Sequence, residues 1–236
     1  MNADTNTQHW AVVPAAGAGR RMNSDIPKQY LMVAGQPVLQ HTIQRMLSWG
    51  FLEQVIIALD SQDSYWPELP VSTDPRVSIV NGGIERCDSV LAGLDALQVL
   101  ADAQDWVWVH DACRPCVALA DVQRLRSAVS DDPVGGLLAV PVAETVKRAD
   151  SDQRVTQTVD RSDLWLAQTP QLFRYGVLRE ALLEAKRAQL SVTDEASALE
   201  LAGLQPLLVQ GDPANIKLTR PEDLALVANT LTPGAG

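Results

Sequence analysis

The residues best suited to chemistry gather in one stretch, residues 11–30, AVVPAAGAGRRMNSDIPKQY. After Pro14, the run Ala15, Ala16, Gly17, Ala18, Gly19 carries no side chain larger than a methyl group. Gly17 and Gly19 let the backbone turn sharply and approach a ligand closely. Successive N–H groups in such a turn can form an anion-binding concavity. Arg20, Arg21 and Lys28 follow directly, so the stretch suits a polyphosphate. It is neither common nucleotide motif: no Gly-Lys-Ser/Thr has the Walker spacing, and Met22 stands where a dinucleotide fingerprint needs its third glycine. Taken alone, a Gly-x-Gly pair describes an ordinary strand-to-helix turn with solvated arginines equally well.

A second candidate is Asp111, in His110-Asp111-Ala112-Cys113-Arg114-Pro115, directly after the apolar run 106–109. An acidic residue at the carboxyl end of a parallel strand lies where open α/β sheets bind ligands. Cys113 and Cys116 form a C-x-x-C that invites a redox reading. A metal site would need further ligands, and there is no second C-x-x-C. Neither cysteine is assigned chemistry, nor is His110, a strand-end histidine being more often structural than a general base.

The elements that must position these residues follow from periodicity. Apolar runs at 10–13, 54–59, 77–80, 106–109, 136–140 and 207–209 are predicted strands. Helical spacing covers 37–49, 85–100, 120–129, 175–189, 193–201 (capped by Thr193 or Asp194) and 221–231. Residues 61–74 are predicted as a loop with one helical turn. Strands alternating with helices imply a Rossmann-like α/β fold with a doubly wound, mostly parallel sheet. The pattern breaks at 143–161, where two short strand-type runs flank a turn, predicting a projecting antiparallel β-hairpin. Residues 168–171 return the chain to the body. The 236 residues predict a single domain, with 1–8 and 232–236 as disordered tails. The net charge of −10 argues against a nucleic-acid or anionic-membrane binder. No secretory or transmembrane pattern is expected, making the cytoplasm the default location.

Read in order, PAAGAGRRM, PKQY, GGIERCDSV, VHDACRP, TVKR, TVDR, QTPQ, TDEAS and NIKLTRPEDL resemble the 2-C-methyl-D-erythritol 4-phosphate cytidylyltransferase family from about Trp10 to Leu231. The resemblance implies a nucleotidyltransferase fold and a homodimer that exchanges residues 143–161 as an arm. It also implies transfer of CMP from CTP to methylerythritol phosphate with release of pyrophosphate.

Site roles follow residue by residue from the same resemblance. Pro14, Ala15, Ala16, Gly17, Ala18 and Gly19 would hold CTP, with Gly82, Gly83 and Ser89 around its cytosine and ribose. Arg21 and Lys28 would stabilise the α-phosphate in the transition state. Asp111 would hold Mg²⁺ between phosphate oxygens and waters, oriented by Arg114. Arg161 and Lys217 would grip methylerythritol phosphate, with hydroxyl contacts from Thr145 and Thr169. Arg86 is open to two readings, a phosphate contact or a salt bridge at a helix start. Asp212 is a weaker candidate for a second acidic ligand. Two other functions compete: a cytidylyltransferase for another alditol phosphate, such as ribitol 5-phosphate, and a non-catalytic nucleotide-binding or redox module.

Overall fold

Strand β1 (His9–Pro14) lies inside a seven-stranded sheet and is buried until its last residue. The computed structural model describes residues 7–17 and 26–232. Most of the expected tails (1–6 and 233–236), together with Ala18, Gly19, Arg20 and Arg21 of the candidate loop, lie outside the described residues. After the loop come a 3-10 turn at Lys28–Tyr30 and a two-residue ladder, β2 (Met32–Val33) with β3 (Gln36–Pro37). The order continues through α1 (Val38–Leu47), β4 (Gln54–Leu59), β5 (Val77–Asn81), α2 (Arg86–Ala96), β6 (Trp106–Val109) and α3 (Leu119–Ala128). It ends with β7 (Gly135–Pro141), β8 (Val146–Ala149), β9 (Val155–Val159), β10 (Trp165–Arg174), α4 (Tyr175–Arg187), α5 (Glu195–Leu201), β11 (Leu207–Gln210) and α6 (Asp223–Leu231).

The sheet order is β11-β7-β10-β6-β1-β4-β5. All its pairings are parallel except those of β10, which runs antiparallel to both neighbours. Successive strand residues point to opposite faces, and two core clusters record this. Ala11, Val13, Val55, Ile57 and Trp108 pack with α1 and α3 on one face. Val12, Ile56, Val107 and Val109 pack with α2, α4 and α5 on the other. Burial on both faces explains why these strands read as continuous apolar runs. Helix α2 lies so close to β1 that a Cβ on Gly93 would sit 2.5 Å from Val12 Cγ1.

Two expectations needed correction. Residues 165–174 form a strand inside the sheet, between β6 and β7, where the sequence predicted only a returning segment. Helix α2 stops at Ala96 rather than extending to residue 100. The predicted hairpin is present as β8 and β9, which among the described residues pair only with each other. No helix among the described residues is long and apolar enough to cross a membrane.

Buried histidines make the fold sensitive to acid. His9 Nδ1 accepts the Trp108 Nε1–H at 3.0 Å, so that nitrogen must be unprotonated. Burial foremost, then Arg126, and Arg174 against an opposing Asp105, push the His9 pKa down to about 4. An unfolded histidine titrates near about 6.5, so between these values the unfolded chain binds more protons. Stability therefore falls as pH drops through that window. Thermal melts should show Tm decreasing from pH 7 to pH 4.5, with part of the decrease missing in His9→Phe. At pH 7 that variant should be less stable by about 1–3 kcal/mol, because Trp108 loses its acceptor.

Candidate active site

Strand order reverses between β1 and β6: from β1 the chain steps to β4 and β5, then returns to β6 on the other side. Ligands of open α/β sheets bind in the crevice at such a switch point, outside the carboxyl ends of the strands. A cleft of about 230 Å³ opens there. Pro14, Ala15, Ala16 and Gly17 line it from the end of β1, Gly83, Arg86 and Ser89 from the start of α2, and Asp111 and Cys113 from the end of β6. Lys28 and Lys217 complete the wall.

Local bonding explains how each segment reaches the cleft. Ala15 N–H donates to the Ala58 carbonyl at 2.8 Å, prolonging the sheet ladder one step past β1. Gln29 donates to the Ala15 carbonyl at 2.8 Å and anchors the turn that carries Lys28. Tyr30 holds the other side of that turn through its hydroxyl, 2.8 Å from Asp63. Gly82 N–H donates to the Leu59 carbonyl at 2.7 Å. Gly83 N–H donates to Ser89 Oγ at 3.1 Å. A Cβ on Gly82 would lie 2.5 Å from Ala16 Cβ and 2.8 Å from Ser89 Oγ, so only glycine lets these two walls meet.

Asp111 is the electrostatic centre. Arg86 donates to Oδ1 from Nε at 3.3 Å and from Nη2 at 3.2 Å. Arg114 Nε lies 3.3 Å and Lys217 Nζ 2.8 Å from Oδ2. Burial works to raise the Asp111 pKa, but Arg86, Lys217 and Arg114 outweigh it and hold the carboxyl well below the ordinary carboxylate range. Arg114 is itself buried and donates to the Asn215 carbonyl at 2.6 Å. Leu218 N–H donates to the Cys113 carbonyl at 2.9 Å. These bonds dock the segment carrying Lys217 onto the β6 loop. Arg86, read from sequence as either a phosphate contact or a salt bridge, is engaged here in salt bridges.

The remaining candidates divide by position. Thr169 lies in an adjoining crevice of about 70 Å³ that also touches Asp111 and Lys217. Its hydroxyl accepts the Asp111 N–H at 2.9 Å and faces His110 Nδ1 at 3.1 Å. His110 Nε2 faces the Arg114 carbonyl at 2.9 Å and must donate to it, which leaves Nδ1 as the acceptor for Thr169. Burial pushes the His110 pKa down to about 4, as that neutral tautomer requires. Thr145 and Arg161 sit exposed on the hairpin and do not line the cleft of their own chain. Arg161 Nη1 donates to the Ala143 carbonyl at the base of the arm. Asp212 lies in a separate depression with Asp121 and Arg124, where its Oδ1 accepts the Ala214 N–H at 2.8 Å. It therefore does not join Asp111. Burial pushes both the Cys113 and the Cys116 thiols up to about 11, which leaves them protonated and unreactive near neutrality. Sequence reasoning missed Glu195, which is fully buried and bonded to Arg86.

Comparison with known proteins adds an independent line. The sequence model of a family described as "IspD: 2-C-methyl-D-erythritol 4-phosphate cytidylyltransferase" matches residues 9–232. A protein of that name from Ectopseudomonas mendocina is 57% identical over 221 residues, covering 93% of this chain and 94% of its own. One from Pseudomonas putida is 52% identical over 222 residues, covering 94% of each. A solved structure titled 4-diphosphocytidyl-2C-methyl-D-erythritol synthase superposes with a TM-score of 0.84 at 37% identity, covering 97% of this chain and all of the other. The Francisella tularensis 2-C-methyl-D-erythritol 4-phosphate cytidylyltransferase gives 0.84 at 34% identity, covering 95% of this chain and all of its own.

The packing at Gly82 provides a direct test of the cleft. Gly82→Ala should leave the protein folded but push Ala16 away from Ser89. Overpacking of this kind costs about 1–3 kcal/mol. If that cost falls on the nucleotide-ready shape of the cleft, CTP affinity measured by calorimetry should fall by roughly tenfold to a hundredfold.

Proposed function

The chain belongs to the 2-C-methyl-D-erythritol 4-phosphate cytidylyltransferase family, and from that premise we propose how its own residues carry out the reaction. CMP is transferred from CTP to 2-C-methyl-D-erythritol 4-phosphate, a step of isoprenoid precursor biosynthesis. A phosphate oxygen of the sugar phosphate attacks the α-phosphorus of CTP in line. The new P–O bond forms as the bond to the β-phosphate oxygen breaks, and its electron pair leaves on pyrophosphate. No protein nucleophile is needed, so the chain contributes positioning and electrostatic stabilisation. The observation that carries this reading is the convergence of Lys28 and Lys217 on the Asp111 cleft at the switch point, beside a glycine-and-alanine loop.

In this assignment, residues 14–17 face the triphosphate while Gly82, Gly83 and Ser89 face the nucleoside. Lys28 meets the charge that grows on the α-phosphate, together with Arg21 from outside the described residues. Lys217 is already an ion-pair partner of Asp111 and can exchange that carboxylate for the sugar phosphate. Thr169 bonds to the Asp111 backbone, which suits it to shaping the acceptor end of the cleft.

Magnesium is part of the proposal. No group of three or more acidic, histidine or cysteine side chains among the described residues could hold a metal ion. Asp111 alone fits a hard cation that takes its other ligands from phosphate oxygens and water. When bound there, Mg²⁺ would neutralise charge on the triphosphate. The hairpin supports a homodimer: among the described residues β8 and β9 pair only with each other, and Val155 on β9 and Leu166 beyond it are 64% and 58% exposed. We assign residues 143–161 as an arm that carries Thr145 and Arg161 into the partner's cleft. CTP and methylerythritol phosphate are anions that do not cross membranes unaided, which favours a cytoplasmic location.

Pyrophosphate release should require CTP and methylerythritol phosphate together and should cease in EDTA. Preference for another nucleotide would overturn the cytosine assignment, and full activity in EDTA would overturn the role of magnesium. Lys28→Ala should lower kcat by roughly 10²–10³, as for a lost oxyanion donor. Arg161→Ala should instead chiefly raise the KM for the sugar phosphate. Mixing these two variants tests the crossed arm. Random subunit exchange makes about half the dimers mixed, each with one intact site, so activity should recover to roughly a quarter of wild type. Demonstrated exchange without recovery would mean that each arm serves its own chain.

A further inference from the structure

Glu195 has no part in the mechanism above, yet at 1% exposure it is the least accessible carboxylate among the described residues. The residues on either side of it are held by β10. Gln171 Oε1 accepts the Ala196 N–H at 2.9 Å, and Gln171 Nε2 donates to Asp194 at 2.8 Å. From the first turn of α5 its carboxylate forks Arg86: Nη1 donates to Oε1, and Nη2 donates to Oε2 at 3.0 Å. The remaining bonds of the same guanidinium go to Asp111 Oδ1. Arg86 is therefore held between two carboxylates on the wall of the cleft.

We propose that Glu195 is a positioning residue for cytidylyl transfer: by forking Arg86, it fixes the orientation of the Asp111 carboxylate and withholds Arg86 from the nucleotide phosphates. The inference rests on the transfer reaction assigned above. Packing alone does not explain a charge here, since a buried ion pair is often no more stabilising than apolar residues of equal volume. A bidentate guanidinium–carboxylate pair supplies fixed geometry instead. Without the Glu195 charge, Arg86 is free to turn, and Asp111 loses one of its fixed partners. The cleft also becomes more positive, which favours a polyanion.

The two consequences have opposite signs, and that makes the inference testable. Glu195→Gln keeps the side-chain shape and removes the charge. Turnover should fall by roughly tenfold to a hundredfold, the scale expected from misplacing reacting groups. CTP affinity, measured by calorimetry in EDTA, should be unchanged or tighter. In an Arg86→Gln background, the Glu195 replacement should add nothing further. Unchanged turnover overturns the proposal. So does weakened CTP binding alongside the loss of turnover, or a full additional loss in the Arg86→Gln background. If Glu195→Gln does not fold, Glu195→Asp keeps the charge but withdraws the fork; it should show the same split at smaller size, and unchanged turnover would again be fatal. Wild-type protein that releases no pyrophosphate from CTP and methylerythritol phosphate would refute the assigned reaction instead.

Discussion

Asp111 is a carboxylate taken almost out of water, and it stays ionised only because three cations surround it. Removing one partner of such a buried arrangement commonly costs about 3–5 kcal/mol, because a charge is left uncompensated. The cations come from separate parts of the chain: Arg86 from the start of α2, Arg114 from the loop after β6, and Lys217 from the loop after β11. Each must be delivered by its own backbone anchor. Gly93 brings α2 against β1, the Asn215 carbonyl accepts from Arg114, and the Leu218 amide ties its segment to Cys113. A single electrostatic requirement thus connects three regions that the sheet alone would not bring into register.

The sheet decides where that requirement is met. The parallel strands β1, β5 and β6 all end at the cleft, and the switch in strand order separates the loops after β1 and β6 enough to admit a ligand. The antiparallel strand β10 is placed differently. It lies between β6 and β7 and presents Thr169 and Gln171 just where the cleft meets α5. Thr169 supports the Asp111 backbone, and Gln171 fixes the start of α5 and so the height of Glu195.

The parts legible in the sequence were those whose signal is local. Apolar runs marked β1, β4 and β6 because both faces of these strands are buried, and the small residues at 15–17 marked a backbone that lines the cleft. Strand β10 escaped because its centre reads Gln168-Thr169-Pro170-Gln171, a polar sequence with a proline. Those residues are buried nonetheless, since their polar groups find partners such as the Asp212 carbonyl, His110 and Asp194. Glu195 escaped for a related reason. An acid in the first turn of a helix normally reads as a solvated group favoured by the helix dipole, whereas its burial here depends on Arg86, 109 positions away. No local pattern carries that pairing. Thr145 and Arg161 could be placed on the hairpin, but one chain by itself does not bring them to a site.

The charge of the chain looks at first unsuited to its ligands. A protein with a net charge of −10 should repel a nucleotide triphosphate and a sugar phosphate. Screening resolves the conflict by distance. At physiological salt the Debye length is about 8 Å, so dispersed surface carboxylates lose most of their influence before they reach the cleft. Inside it, Lys28, Arg86 and Lys217 stand on walls of low polarisability, where each charge acts more strongly than in water. Glu195 then limits one of these cations: Arg86 is committed to two carboxylates, whereas Lys217 is held by one, Asp111, and so keeps more freedom of position.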